Sequence, residues 1–239
     1  MKLGLNIDHA ATLRNARGVN YPKLEDAARV ALGMGAESIV VHLHGDRRHV
    51  KDADVEILCK KFPERIHLEC AATAEMEKTA LKFKPASVCL VPEFEGERTT
   101  RGGLKLNTQN FAKITKITKN LHKKNIAVSL FIDALPDDVR VAKKTGADIV
   151  ELCTAKYSEA KNKKECSEIL EDLAVCSILA RELGLKVHAG HGLDYSNAAA
   201  VAALDGIECL NIGFSVIAKS IFVGLAGAVL EMLEITRGK

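Results

Sequence analysis

The chain has 239 residues, 47% hydrophobic and 27% charged, an ordinary globular composition with length for one large α/β barrel or two smaller domains. A net charge of only +3, with no tryptophan, three tyrosines and seven phenylalanines, argues against a nucleic-acid binder built on a basic face and base stacking. Locally clustered Arg and His fit anionic small molecules better. Seven cysteines, an odd number without a CxxC pair, lie mostly inside apolar runs, so reduced, buried thiols in a cytoplasmic protein are expected.

The chain opens "MKLGLNIDHAATLR", with an acid and a histidine by residue 9, unlike a signal peptide. The longest apolar run, near "FVGLAGAVLEML", reads as too short for a bilayer, so no membrane partner is expected. From there, strand-like and helix-like runs alternate. "LGLNID" (3–8) is a strand and "PKLEDAARVALGMG" (22–35) a helix ending in Gly. "ESIVVHL" (37–43) precedes the helix "KDADVEILCKKF" (51–62), and "RIHLEC" (65–70) precedes "TAEMEKTALKF" (73–83). "SVCLVP" (87–92) leads through a glycine-containing loop to a helix over 107–123. "IAVSLFID" (126–133) is followed by "LPDDVRVAKKTG" (135–146), with proline in its first turn. "DIVELC" (148–153) is followed by a helix over 163–183, and "LKVHAG" (185–190) by "SNAAAVAAL" (196–204). "GIECLNIG" (206–213) and a helix over 215–236 close the chain.

Eight strand-then-helix units in this length predict a TIM (β/α)8 barrel, one catalytic domain over residues 1–239. The strands read as short Val/Ile/Leu runs without clean alternation, as parallel strands covered on both sides do. An open doubly wound sheet is the alternative, but no GxGxxG follows the first strand.

Barrel sites lie at the C-terminal ends of the strands. There the sequence places Asn6, Asp8 and His9; His42 and His44; Glu69; the loop "ERTTRGG" containing Thr99; Asp133; Glu151; "AGHG" with His191; and "NIGFS". Asp8 reads as a site residue or a rim brace. His42 and His44 share a strand face, with Arg47, Arg48 and His49 close behind. Glu69 and Glu151 sit among apolar or small residues, where desolvation raises a carboxyl toward the acid–base range. A buried ion pair is the bland alternative for both, and Asp133 reads as a helix cap. His67 and His122 read as structural or surface groups, and His188 has no clear assignment.

Gly190 and Gly192 flank His191 and let backbone approach a ligand. Gly213, Phe214 and Ser215 offer N–H groups at a helix start, an anion site. The "RTTRGG" hydroxyls, with Arg14 and Arg17, suit a second anion. No lysine ends a strand, and Lys186 lies at the wrong end, so any imine would take its amine from a substrate.

The segments "NIDHAATLRNARG", "VHLHGDRRH", "LEC", "LVPE…TTRGGL", "VSLFID", "KVHAGHGL" and "LNIG", spread over nearly the whole chain, resemble the pyridoxine 5′-phosphate synthase family. The resemblance implies a TIM barrel with extra helices, a homo-octamer, and no metal or organic cofactor. It implies condensation of two phosphorylated small molecules, 3-amino-1-hydroxyacetone 1-phosphate and 1-deoxy-D-xylulose 5-phosphate. By the same resemblance His42 and Glu69 are general bases and His191 a general acid, with Glu151 a further candidate. Asn6, Gly192, Gly213 and Phe214 would hold the first substrate, and Asp8, His9, Arg17, His49 and Thr99 the second. The chain departs from the family pattern at His44, where arginine is usual, and at Phe214 and Cys153, where histidine often stands.

Two rivals share the same residues. One is a metal-dependent hydrolase using His42, His44, Glu69, Asp133 and His191. The other is a barrel that binds phosphosugars without catalysis.

Overall fold

The strands owe their shape to β-branched and leucine residues at every second position, which pack outward while the intervening residues turn inward. In the computed structural model, which describes residues 1–93 and 102–238, these strands are β1 (Lys2–Asn6), β2 (Ser38–His42), β3 (Ile66–Ala71), β4 (Ser87–Val91), β5 (Ala127–Ile132), β6 (Ile149–Cys153), β7 (Lys186–Gly190) and β8 (Cys209–Ile212). They pair in sequence order, all parallel, and β8 pairs with β1 to close a barrel. The TIM-barrel expectation is met.

The helices follow in order: α1 (Asp8–Arg17), α2 (Leu24–Met34), α3 (Asp52–Lys61), α4 (Ala74–Phe83), α5 (Thr108–His122), α6 (Pro136–Lys144), α7 (Ala155–Ser158), α8 (Lys163–Glu182), α9 (Ala198–Ala202) and α10 (Phe214–Arg237). Local chemistry sets their ends. Thr73 caps α4 by accepting from Met76 N–H, and Asn162 caps α8 by accepting from Glu165 N–H. α1 and α7 were not read from the sequence; α1 ends on Gly18 in the left-handed conformation (φ 65°), which glycine adopts freely.

Leu5, Ile39, Val41, Leu68, Leu130 and Val150 are fully buried and belong to one core cluster between the wall and the helices. Burial of each such side chain stabilises by about 1.5–3 kcal/mol. The inward positions differ. The sequence suggested unbroken apolar strands, yet His67, Glu69, Ser87, Cys89, Ser129, Glu151, His188 and Asn211 all fall on the inward parity of their strands. Among the described residues, a small apolar group, Cys89, Val91, Phe131 and Cys153, forms a second cluster inside.

The apolar stretch judged too short to cross a bilayer belongs to a longer element. α10 has 24 residues and is long and apolar enough by length and composition, with a third of its apolar window buried. It bends at Gly224 (φ 75°), and Val216, Ala228, Val229 and Met232 pack into the core.

Candidate active site

A cavity of about 950 Å³ opens at the C-terminal ends of the strands. Asn6, His9, His49, Glu69, Glu151, His191, Gly192, Gly213 and Phe214, all candidates from sequence, line it. Arg48 and Ser215, named from sequence beside His49 and Phe214, line it as well, and so do Asp194 and Asn211, which the sequence did not single out. Thr99 lies outside the described residues.

His42 and Asp8 form the buried corner behind this lining. Asp8 Oδ1 accepts the His42 N–H at 3.0 Å, and Asp8 Oδ2 accepts from Asn6 Nδ2 at 3.0 Å. Burial pushes the Asp8 carboxyl up to about 7 against these hydrogen bonds. Asp8 thus ties β1 to β2, as its reading as a brace anticipated. The His42 ring stacks on His44 at 3.6 Å between centroids, and its Nδ1 lies 3.7 Å from Glu69 Oε2. Burial, then the positive neighbours His44, Arg48 and His49, holds His42 well below the usual histidine range. An imidazole so held stays neutral, with a ring nitrogen able to accept a proton although less basic than an ordinary histidine. His44 is held by Glu93, whose Oε1 lies 2.8 Å from Nδ1 and also accepts the Gly45 N–H at 3.0 Å.

Glu69 and Glu151 divide one task unequally. Desolvation, then the charges of Glu151 and Asp8, raises Glu69 well above the carboxylate range. Glu151 is equally desolvated but better supplied with partners: Asn211 Nδ2 donates to its Oε2 at 2.7 Å, and His67 Nε2 lies 3.7 Å from the same oxygen. Burial works against the Glu151 charge, but His67, His188 and Asn211 outweigh it and hold this carboxyl below its ordinary value. Of two buried carboxyls facing one cavity, Glu69 keeps the proton and Glu151 the charge.

His191 sits in the left-handed region at φ 86°, costly for a residue with a Cβ by roughly 1–3 kcal/mol. Its carbonyl accepts from Thr154 Oγ1 at 2.6 Å, which pins the turn that carries the ring to the cavity. The glycines beside it are required by crowding. A Cβ on Gly190 would lie 2.6 Å from Glu151 Oε1, and one on Gly192 (φ 75°) would lie 2.1 Å from Ser158 Oγ. Gly213 leads into α10, where the first helical bonds to its carbonyl come from Val216 and Ile217 N–H. The N–H groups of Phe214 and Ser215 precede those bonds and lie at the positive end of the helix. The Phe214 ring is exposed and meets His9 edge-on at 5.3 Å.

The opposite wall holds the guanidinium of Arg48. Among the described residues, its Nε and Nη2 are buried without hydrogen-bond partners, while Nη1 donates to Asp46 at 3.2 Å. Buried donors left open at a cavity wall await an acceptor. His49 stands beside it, its Nδ1 3.0 Å from Thr12 Oγ1. The arginines favoured from sequence for this role are placed elsewhere. Arg14 is buried in a two-pronged bond to Asp54, at 2.6 and 2.7 Å, and Arg17 is exposed on the last turn of α1, outside the cavity lining. Asp133 is likewise structural: its Oδ1 accepts the Gly103 N–H at 2.9 Å and Lys105 Nζ donates to Oδ2 at 2.9 Å. It holds the far end of the loop after β4 and caps no helix.

Among the described residues, two groups have donor atoms close enough to share a metal ion: His42, His44 and Glu93, and His67, Cys89 and Glu151. The set suggested from sequence, with Glu69, Asp133 and His191 around His42 and His44, is neither of these. His67, read as structural, and His188, left unassigned, both face the barrel interior with rings 5.7 Å apart.

The family model described as "Pyridoxal phosphate biosynthesis protein PdxJ" matches residues 3–238. A pyridoxine 5′-phosphate synthase of Elusimicrobium minutum is 66% identical over 234 residues, 98% of this chain and 97% of that protein. A pyridoxine 5′-phosphate synthase of Citrifermentans bemidjiense is 48% identical over 99% of this chain and 98% of its own. Among solved structures, thiamine phosphate pyrophosphorylase from Pyrococcus furiosus superposes with a TM-score of 0.61 at 16% identity, covering 99% of this chain and 96% of that one. A 3-hexulose-6-phosphate synthase superposes with a TM-score of 0.63 at 16% identity, covering 98% and 99%. These two likenesses concern the barrel fold alone.

Proposed function

Because the chain belongs to the pyridoxine 5′-phosphate synthase family, enzymes of vitamin B6 biosynthesis, we propose that its cavity condenses 3-amino-1-hydroxyacetone 1-phosphate with 1-deoxy-D-xylulose 5-phosphate. The products are pyridoxine 5′-phosphate, inorganic phosphate and water. One observation carries this reading: a set of buried acids and bases lies between two anion-receptive ends, the start of α10 and the open donors of Arg48.

The α10 start, with Gly192 and Asn6 beside it, suits the aminoacetone phosphate, since backbone N–H groups and the helix dipole favour an anion. Arg48, His49 and His9 suit the deoxyxylulose phosphate, with Asp8 holding the backbone that positions them. The substrate amine attacks the ketone and water leaves, giving an imine. None of the described lining residues is lysine, so the amine of the imine comes from substrate. Neutral His42 takes the proton that converts imine to enamine. Elimination of phosphate and ring closure with loss of water then need protons delivered to leaving oxygens. His191, held on its strained turn, and protonated Glu69 supply them, and Glu69 is a strong base once its proton is gone. Each positioned acid or base contributes roughly 10²–10⁴-fold.

The exposed apolar residues Ile221, Phe222 and Val223 on α10 support assembly into a homo-oligomer, and the family resemblance suggests an octamer in the cytoplasm. The direct test mixes the two phosphorylated substrates with the protein and follows pyridoxine 5′-phosphate and free phosphate. One of each per turnover, lost in Glu69→Gln, supports the reading; ligand binding without product overturns it.

A further inference from the structure

The turn that carries His191 is held in a conformation that its own side chain disfavours. His191 at φ 86° and Gly192 at φ 75° stand one after the other in the left-handed region. Glycine adopts it freely, but a residue with a Cβ stays there only where its surroundings over-determine it. Those surroundings come from the neighbouring strand. β6 ends at Cys153, paired with Gly190 of β7, and Thr154 extends the ladder, its N–H donating to the Gly190 carbonyl at 2.9 Å. Its hydroxyl then reaches past the end of the ladder. Thr154 Oγ1 lies 2.8 Å from the Gly190 carbonyl and 2.6 Å from that of His191. Carbonyl oxygens only accept, so the hydroxyl is the donor to both.

A second observation sets this threonine apart. Thr154 stands at the N-cap of α7, where a threonine side chain ordinarily accepts an N–H of the first helical turn. It makes no such bond here, and the fully buried hydroxyl is directed to the β7 turn instead. Gly192 has a different anchor. Its carbonyl accepts from Asn197 Nδ2 at 3.1 Å, and Asn197 Oδ1 accepts the Asp194 N–H at 2.7 Å. The two ends of the turn are thus held separately, the His191 end by Thr154 and the Gly192 end by Asn197. His191 and Gly192 line the cavity, whereas Thr154 lies outside its lining.

We propose that Thr154 is a positioning residue for the condensation: its hydroxyl fixes the His191 backbone so that the ring meets the leaving oxygen, without itself touching substrate. This rests on the reading of His191 as the general acid. Proton transfer needs hydrogen-bond reach, so a shift of about 1 Å removes much of an acid's advantage. Loss of the hydroxyl therefore slows the chemistry and leaves substrate binding, anchored through Asn197, as it was.

The test is a double-mutant cycle on the full chain, with product followed in steady state and circular dichroism used to confirm that each variant is folded. Thr154→Val keeps the shape of the side chain and removes the donor. It should lower kcat about 10–100-fold, with KM for both substrates within about twofold of wild type. Thr154→Ser restores the donor and should return kcat to within about threefold. On a His191→Ala background, Thr154→Val should cost nothing further, because residues that act through one group are not additive. Should the valine variant fail to fold, Thr154→Ala takes its place in the same cycle. Unchanged kcat in Thr154→Val overturns the proposal. So does a further drop of about tenfold on the His191→Ala background, the mark of a general structural loss. A raised KM with kcat kept would make Thr154 a binding residue and overturns it as well. Normal turnover in His191→Ala alone overturns the acid assignment itself; a loss there with none in Thr154→Val overturns only the positioning role.

Discussion

Leu68 and Glu69 are neighbours on β3, and the two faces of the barrel wall differ as those two side chains do. The outward face is leucine, isoleucine and valine, sealed under helices in one core cluster. The inward face is nearly as buried but carries His42, His67, Glu151 and Asn211. Burial stabilises on the first face and costs free energy on the second, where polar groups have left water. The difference teaches a division of labour: the outward face holds the cylinder together strongly enough for the inward face to carry perturbed acids and bases.

This contrast can be broken by exchanging the two effects. The largest loss should follow His191→Ala, which removes the proposed acid at the cavity mouth and should lower kcat by roughly 10²–10⁴-fold in a steady-state assay. Its thermal transition should stay near wild type, because the residue sits on a strained turn. Leu130→Ala on the outward face should do the reverse. It should cost about 2–5 kcal/mol in denaturant unfolding, with kcat kept at temperatures where the protein is folded. Arg48→Ala sharpens the comparison inside the cavity. If Arg48 grips a substrate phosphate as proposed, losing its guanidinium costs about 1.5–3 kcal/mol, so KM for one substrate should rise roughly 10–100-fold. Lysine should restore little of this, lacking the planar fork.

The smallest effect concerns pH. Burial, with the charge of His67, lowers His188 from 6.5 to about 4. The folded protein therefore refuses a proton that the unfolded chain accepts, and stability drains away as pH falls from about 6.5 toward 4. In His188→Asn this loss should be shallower over the same window, read from thermal transitions at stepped pH. An unchanged slope would mean that His188 takes up its proton normally.

The sequence carried the barrel because eight apolar runs alternated with helical ones, and it carried most of the mouth because polar residues ended the runs. It did not reveal the polar interior. A histidine or serine inside an apolar run looks like an exception until register puts Ser87 beside His67 and His188 beside Glu151. Nor did it choose among arginines. Arg14, Arg17 and Arg48 look equivalent on paper, but only the fold brings Asp54 to Arg14 and leaves Arg48 open to the cavity. The helix α1 was missed because "DHAATLRNAR" has few apolar residues to mark a face.

The most direct measurement compares Leu68→Ala with Glu69→Gln, reading unfolding free energy and product formation on the same preparations. The account expects a crossed result: the leucine variant loses stability and keeps its turnover per folded molecule, while the glutamine variant folds as well as wild type and forms almost no pyridoxine 5′-phosphate. Normal product formation by the glutamine variant would contradict it.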